Sequence, residues 1–152
     1  MKKLFALLLI STLTISYSFK TAETEVKWLD FNQGYQLAQK KHKILLVDVY
    51  TAWCGWCKVM DKETYAKPEI IALIKTHFIP VKFNPEVKDV MYTYNGKQYN
   101  GRELSGVISN NQITGYPSTL FIDTKTNKVS IVAGYQNPVE FKTTLEQFIT
   151  KK

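Results

Sequence analysis

The chain has 152 residues, of which 45% are hydrophobic and 13% aromatic, so it suits one globular domain and excludes a disordered chain. Its net charge is +7, yet Arg102 is the only arginine among the 20 basic residues. Because nucleic-acid readers depend on bidentate arginine contacts, this composition disfavours a nucleic-acid partner and indicates a solvated, lysine-rich surface.

The N-terminus has the pattern of a secretory signal peptide. Two lysines precede an apolar stretch over residues 4–15, and the small residues Ser16 and Ser18 suit cleavage after the latter. The apolar stretch is shorter than the roughly 20 residues that span a bilayer, although an uncleaved anchor is the alternative. We therefore expect a signal peptide over residues 1–18, one domain over residues 19–152, and a periplasmic or secreted protein. Removal of the two lysines lowers the net charge from +7 to +5.

Hydrophobic periodicity predicts five elements in the first half of the domain. In chain order these are a helix from Asp30 or Asn32 to about Lys41, a strand over 44–50, a helix over 59–65, a helix that begins at Pro68, and a strand over 78–83. The run over 44–50 is apolar except for Asp48, which is typical of a central parallel strand covered on both faces.

Residues 84–112 are the least regular stretch, but Asn95-Gly96 between two alternating segments predicts a β-hairpin. The elements expected next are a helix over 103–113, a second hairpin with strands over 118–123 and 129–133, and an amphipathic helix over 139–149. The element order is thus β-α-β, an insert, and β-β-α. The tyrosines of the insert form either an exposed docking face or one face of an ordinary hairpin; they are Tyr92, Tyr94 and Tyr99.

The two cysteines of the chain are Cys54 and Cys57. They are too close in sequence to cross-link distant parts of a fold. A zinc site normally has four ligands, and the two histidines, His42 and His77, are expected to be structural or solvated. The Cys-x-x-Cys spacing therefore predicts a redox-active pair and no metal site.

This pair lies between a buried strand and a helix, where the unpaired N–H groups and the dipole of the helix stabilise a thiolate. We expect Cys54 to be exposed at the helix N-terminus and Cys57 to lie one turn in, shielded. The Cys54 thiolate would attack a partner disulfide, and Cys57 would resolve the mixed disulfide.

The segment Trp53-Cys54-Gly55-Trp56-Cys57-Lys58 resembles the active-site motif of the thioredoxin family, in which proline commonly stands at the position of Trp56. Three further segments resemble that family: Leu46-Val47-Asp48, with a buried strand acid; Val81-Lys82-Phe83-Asn84, with a lysine near that acid; and Gly115-Tyr116-Pro117-Ser118, in which the proline is cis. The similarity covers residues 28–150 except roughly 85–112. This longer stretch resembles exported thioredoxin-like domains, including the C-terminal domain of transmembrane thiol–disulfide interchange proteins.

The resemblance implies an α/β thioredoxin fold, with a central mixed sheet flanked by helices and a hairpin-containing insert before the cis-proline. It implies an enzyme that reduces disulfides of exported proteins, with no cofactor other than the Cys54–Cys57 disulfide. The implied partners are disulfide-containing exported proteins and a membrane electron-donor protein, and the chain is expected to be a monomer.

The resemblance also implies catalytic roles for residues outside the cysteine pair. Asp48 would accept a proton from Cys57, and Lys82 would tune the charge of Asp48. A strand-end acid bonded to the backbone is the alternative for Asp48. Pro117 would keep a backbone N–H away from the redox pair, whereas an ordinary loop proline is the alternative.

Substrate contacts are expected from four residues, which are Trp53, Gly55, Trp56 and Tyr116. Tyr116 would offer backbone pairing to an extended substrate, and the tryptophans would form an exposed aromatic surface rather than pack in the core. Two other functions stay open. Trp56 in place of proline leaves an oxidant or isomerase open, because the intervening residues affect redox poise. A redox-silent module that binds a partner is the second alternative.

Overall fold

The computed structural model describes residues 24–150, so the expected signal peptide lies outside the described residues. In chain order the elements are α1 (Phe31–Lys41), β1 (Ile44–Val49), α2 (Gly55–Glu63), α3 (Pro68–His77), β2 (Phe78–Phe83), β3 (Tyr92–Tyr94), β4 (Lys97–Tyr99), α4 (Gly101–Ser109), β5 (Ser118–Asp123), β6 (Lys128–Ala133) and α5 (Pro138–Thr150). No helix within residues 24–150 combines the length and the hydropathy that a membrane span requires.

Four strands form one mixed sheet in the order β2-β1-β5-β6. β1 is parallel to β2 and antiparallel to β5, and β5 is antiparallel to β6. Successive side chains of β1 point to opposite faces, so Leu45 and Val47 join one core cluster while Leu46 joins the other. The prediction of a central strand covered on both faces is confirmed.

Helices cover both faces of this sheet. On one face α1, α4 and the β3–β4 hairpin contribute core residues that include Phe31, Tyr35, Tyr92 and Leu104. On the other face α2, α3 and α5 contribute core residues that include Met60, Ile70, Ile74 and Phe141. The expected central mixed sheet flanked by helices is therefore confirmed.

The hairpin of the insert forms as predicted, because Asn95 and Gly96 both adopt positive φ angles, 49° and 74°. The alternative of an exposed tyrosine docking face is wrong. Tyr92 and Tyr94 are buried, and Tyr94 lies 5.1 Å from the Tyr35 ring of α1. The Tyr35 hydroxyl also donates a hydrogen bond to Asn95 Oδ1 at 2.8 Å, which holds the hairpin against α1.

The helix predicted over 103–113 is shifted, because α4 runs from Gly101 to Ser109. It begins earlier since Asn100 forms a capping box with Glu103, in which each side chain accepts the other residue's backbone N–H. It ends earlier since Asn110 takes the left-handed conformation, with φ of 50°.

The helix after the cysteines is also displaced from its predicted range of 59–65. α2 begins at Gly55 because Cys54 caps it, and it ends at Glu63. Tyr65 lies beyond the helix, where its ring packs edge-on against Trp28 at 4.9 Å and Phe141 at 5.3 Å. The helix N-terminus therefore starts directly after the first cysteine.

Candidate active site

The two cysteines lie where the chain leaves the carboxyl end of β1 and enters α2. The Cys54 backbone N–H donates to the Thr51 carbonyl at 3.2 Å, which forms the turn between the two elements. Cys54 is the N-cap of α2, and its Sγ accepts the Cys57 backbone N–H at 3.1 Å. Cys54 and Cys57 are joined by a disulfide, with their Cα atoms 5.4 Å apart. The predicted redox pair thus sits at a helix N-terminus.

Cys54 is not exposed in this oxidised form, which corrects the sequence-based expectation. Its side chain is 4% exposed, and that of Cys57 is 3% exposed. The reason is local: the Cys54 sulfur turns back over the first turn of α2, where it bonds to Cys57 and to the Cys57 N–H. Burial alone therefore does not distinguish an attacking cysteine from a resolving one, and the position at the N-cap does.

The expected cis peptide bond is present between Tyr116 and Pro117. Pro117 is buried and directly precedes β5, whose first residue, Ser118, pairs with Val49 at the end of β1. This register brings the cis-proline to the edge of the sheet from which the cysteine segment emerges. The backbone N–H of Gly134 donates to the Pro117 carbonyl at 2.8 Å, which fixes the loop after β6 at the same edge.

The predicted exposed aromatic surface is confirmed, because Trp53 and Trp56 are 68% and 61% exposed. Trp53 packs edge-on against Tyr116, with ring centroids 5.8 Å apart, and its Nε1 donates to Glu86 Oε2 at 3.0 Å. Gly55 lies between the two tryptophans in sequence, is exposed, and has no other group near the position of a Cβ. This surface borders the disulfide.

Trp56 contacts a different set of residues from those that Trp53 contacts. Its ring lies 5.3 Å from that of Tyr135, and the Tyr135 hydroxyl donates to Glu63 Oε2 at 3.0 Å. Neither Tyr135 nor Glu86 was identified from the sequence, because both come from loops that follow strands and reach the cysteines only in the folded chain. Each tryptophan of the motif is thus paired with a tyrosine and, directly or through that tyrosine, with a glutamate.

Asp48 lies inside β1 and is 1% exposed, directly opposite Lys82 in the register of β1 and β2. Its carboxylate forms an ion pair with the Lys82 ammonium and accepts no backbone hydrogen bond, so the alternative of a strand-end acid bonded to the backbone is wrong. Burial raises the pKa of Asp48 above its usual value, and the charge of Lys82 offsets only part of that rise. The sheet therefore holds a carboxyl group with an unusually high proton affinity.

Lys82 contacts a second carboxylate, that of Asp61 on α2. Burial lowers the pKa of Lys82, but the attraction of Asp48 and hydrogen bonds to both carboxylates more than reverse this, so the pKa is raised. Asp61 was missed by the sequence analysis, although its position four residues after Cys57 places it on the same side of α2. The two acids share one cation.

Three aromatic rings surround the Lys82 ammonium, namely Trp28 at 5.1 Å, Tyr50 at 5.1 Å and Tyr65 at 5.3 Å. Such distances allow cation–π attraction, which adds to the ion pairs in holding Lys82 in place. Burial and the charge of Asp48 raise the pKa of Tyr65, so this phenol stays neutral. Lys82 is consequently a fixed charge beside Asp48.

The two histidines lie away from this site. His42 is exposed at the C-terminus of α1, and His77 ends α3. Within residues 24–150, no three His, Cys, Asp or Glu side chains cluster as the ligands of a metal ion would.

A family profile matches residues 9–150 of the chain; the family is Thioredox_DsbH, described as a protein of unknown function, DUF255. The match includes all four segments that resemble thioredoxin in sequence. Among curated proteins, the thiol:disulfide interchange protein DsbD of Haemophilus influenzae (strain PittGG) is 26% identical over 121 residues. These cover 74% of this chain and 18% of DsbD, so the chain spans less than a fifth of that relative's length.

Solved structures support the fold. A DsbH oxidoreductase superimposes with a TM-score of 0.63 at 15% identity, covering 91% of this chain and 94% of the other. A thioredoxin from Thermus thermophilus has the same TM-score, 0.63, at 18% identity, covering 84% of this chain and 89% of the thioredoxin. At these identities the likeness establishes the thioredoxin fold.

Proposed function

This chain belongs to the Thioredox_DsbH family, and we propose that it is a thiol–disulfide oxidoreductase that reduces disulfides in exported proteins. The observation that carries the proposal is the Cys54–Cys57 disulfide at the N-terminus of α2, bordered by two exposed tryptophans. The similarity to DsbD, a thiol:disulfide interchange protein, supports the same class of chemistry.

In the proposed reaction the reduced protein begins with a Cys54 thiolate. It attacks one sulfur of the substrate disulfide, so that a Cys54–substrate bond forms and the substrate S–S bond breaks. Cys57 then loses its proton and attacks Cys54, which releases the second substrate thiolate. Two electrons have passed to the substrate, whose two thiolates take up the proton lost by Cys57 and one proton from solvent, and the protein is left with the disulfide that the structure contains.

One feature of the site favours the attack by Cys54, and another favours the resolving attack by Cys57. The N–H groups and the dipole at the start of α2 stabilise negative charge on Cys54, and the Cys57 N–H already points at its sulfur. Asp48 is the proposed acceptor of the Cys57 proton, directly or through one water molecule. Its raised pKa brings its proton affinity closer to that of a thiol, which makes it a more effective base.

The proposal that the protein works in the reducing direction rests on the Asp48–Lys82 pair, a feature in which this chain resembles thioredoxin. Each cycle leaves a disulfide, so electrons must return from a donor, and we propose a membrane electron-donor protein for this. An oxidant or isomerase is the alternative, since Trp56 replaces the usual proline. A binding module without redox activity is the remaining one.

Equilibration with glutathione buffers tests this function, with tryptophan fluorescence as the readout because Trp53 and Trp56 border the disulfide. We expect a reduction potential near that of thioredoxin, about −270 mV, and well below the about −180 mV of protein disulfide isomerase. A value at or above the latter would favour the oxidant or isomerase. A protein that does not exchange electrons at all would be a binding module, and a variant without either cysteine supplies the baseline.

We further propose that the chain is exported and that residues 1–18 are removed as a signal peptide. The support is the lysine pair, the short apolar stretch and the small residues that follow it. Mass spectrometry of the protein from its native cells is expected to find a chain that begins at Phe19 in the cell envelope or medium. An intact Met1 in the cytoplasm would contradict export.

A further inference from the structure

Trp56, Tyr135 and Glu63 form one continuous set, here called the Trp56 subsite. On α2, Glu63 follows Trp56 by seven residues, which is close to two turns, so both lie on one side of the helix. Tyr135 spans that distance, since its ring lies 5.3 Å from the Trp56 ring and its hydroxyl donates to Glu63 at 3.0 Å. The subsite is thus an exposed indole with an exposed carboxylate two turns along.

The loop that carries Tyr135 is held against α2 by further hydrogen bonds. The Thr64 hydroxyl donates to the Gln136 carbonyl at 2.7 Å, and the Gln136 amide donates to the Thr144 hydroxyl of α5 at 2.9 Å. Tyr135 is therefore held beside Trp56 before any partner arrives, which lowers the entropy that binding costs.

The charges near the subsite are negative. Desolvation, the hydrogen bond to Glu63 and the charges of Glu63 and Glu140 raise the pKa of Tyr135. The lysines of α2, Lys58 and Lys62, lie roughly 100° or more around the helix from Trp56 and Glu63. Neither of these two lysines therefore lies on the side of α2 that carries the subsite.

The other tryptophan has a different electrostatic setting. Glu86, which accepts the Trp53 hydrogen bond, lines a cleft of about 300 Å³ together with Arg102 and Tyr116. The negative charge of Glu86 and the positive charge of Arg102 both act on the Tyr116 hydroxyl, with opposite effects. The flank of the disulfide that carries Trp53 is therefore mixed in charge, whereas the flank that carries Trp56 is acidic and aromatic.

We infer that the Trp56 subsite binds a lysine or arginine side chain next to the reacting cysteine of the substrate. An ammonium or guanidinium group is attracted to the face of an indole, and the negative charge of Glu63, two helical turns along, attracts the same cation at longer range. This inference rests on the proposed function, and it names the substrate class: disulfides flanked by basic residues. It runs against the net positive charge of the protein, which is +7 for the full chain and would by itself favour acidic substrates.

Matched peptides test the inference. Each carries one cysteine in a mixed disulfide with glutathione and differs only in the residue before or after that cysteine, which is lysine, glutamine, norleucine or glutamate. The measured quantity is the second-order rate constant for oxidation of the reduced protein. We expect the lysine peptide to react about threefold to tenfold faster than the glutamine peptide, and the glutamate peptide to react slowest. High salt should reduce the difference.

Glu63→Gln keeps a hydrogen-bond acceptor for Tyr135 and removes the charge. It should abolish most of the lysine advantage, measured within the variant as the ratio of the rate constants of the lysine and glutamine peptides. Trp56→Leu keeps an apolar side chain without the ring and should also reduce the lysine advantage. Glu69→Gln removes one exposed acid from α3 and should leave the preference unchanged.

Three results would overturn the inference: equal rates for lysine and glutamate, a norleucine peptide as fast as the lysine peptide, or a lysine preference that survives Glu63→Gln. If all the peptides react at similar rates, this inference is contradicted and the proposed function is not. If no peptide oxidises the reduced protein, the proposed function fails, and the inference fails with it.

Discussion

Cys57→Ala is expected to accumulate stable mixed disulfides between Cys54 and substrate proteins, whereas Cys54→Ala should accumulate few or none. Cys54 is the N-cap of α2, so its thiolate faces the N–H groups of the first turn. Cys57 lies inside that turn and is not at the N-cap, so its sulfur lacks this stabilisation. Without Cys57 the second step cannot occur, and the intermediate remains. Non-reducing electrophoresis of each variant from its native compartment gives the measurement.

Both variants should fold, which makes the comparison valid. A disulfide between residues three apart closes a very short loop, so its loss should cost less than the roughly 3 kcal/mol of a 15-residue loop. Circular dichroism of both variants is the control. More captured partners with Cys54→Ala than with Cys57→Ala would show that the two roles are reversed.

Asp48→Asn is expected to slow the resolving step at least about tenfold near neutral pH, since a positioned general base contributes roughly 10²–10⁴-fold. Burial raises the pKa of Asp48, so the wild-type rate should fall as the pH drops through that raised pKa, when the carboxyl becomes protonated. The variant should lack this transition. Its rate should approach that of the wild type at high pH, where the Cys57 thiol ionises unaided.

The same substitution should raise the free energy of unfolding at neutral pH. The folded-state pKa of Asp48 is raised above its usual value of 3.8, so the buried carboxylate destabilises the fold above the folded pKa. This penalty disappears as the pH falls toward the unfolded value, and the two proteins should then converge in stability. Lys82 is not left unpaired in the variant, because Asp61 still contacts it.

Stopped-flow kinetics and urea denaturation, each across the pH range, check both effects. Asp61→Asn is the matched control, because it removes the other carboxylate that contacts Lys82 and leaves Asp48 in place. It should affect the resolving step less than Asp48→Asn does. If Asp48→Asn slows the resolving step, lowers the stability and leaves the pH profile unchanged, Asp48 has a structural role only.

Local sequence patterns determined the elements that surround the site. The apolar run broken by Asp48 predicted the central strand, and Asn95-Gly96 predicted the first hairpin, because each depends on neighbours in the chain. The position of the redox pair at a helix N-terminus followed from its place between a strand and a helix. The cis bond before Pro117 was expected from family resemblance.

Other features were decided by packing between segments distant in sequence. The burial of Tyr92 and Tyr94 depends on α1, and the second carboxylate at Lys82 comes from α2. The Tyr135 partner of Trp56 comes from the loop after β6, almost 80 residues away in the printed sequence. Periodicity, caps and turns report only which face a residue presents, whereas the side chain it meets is set by how the helices pack on the sheet. The sequence therefore determined the chemistry of the cysteine pair, and the tertiary structure decided which charges and rings surround it.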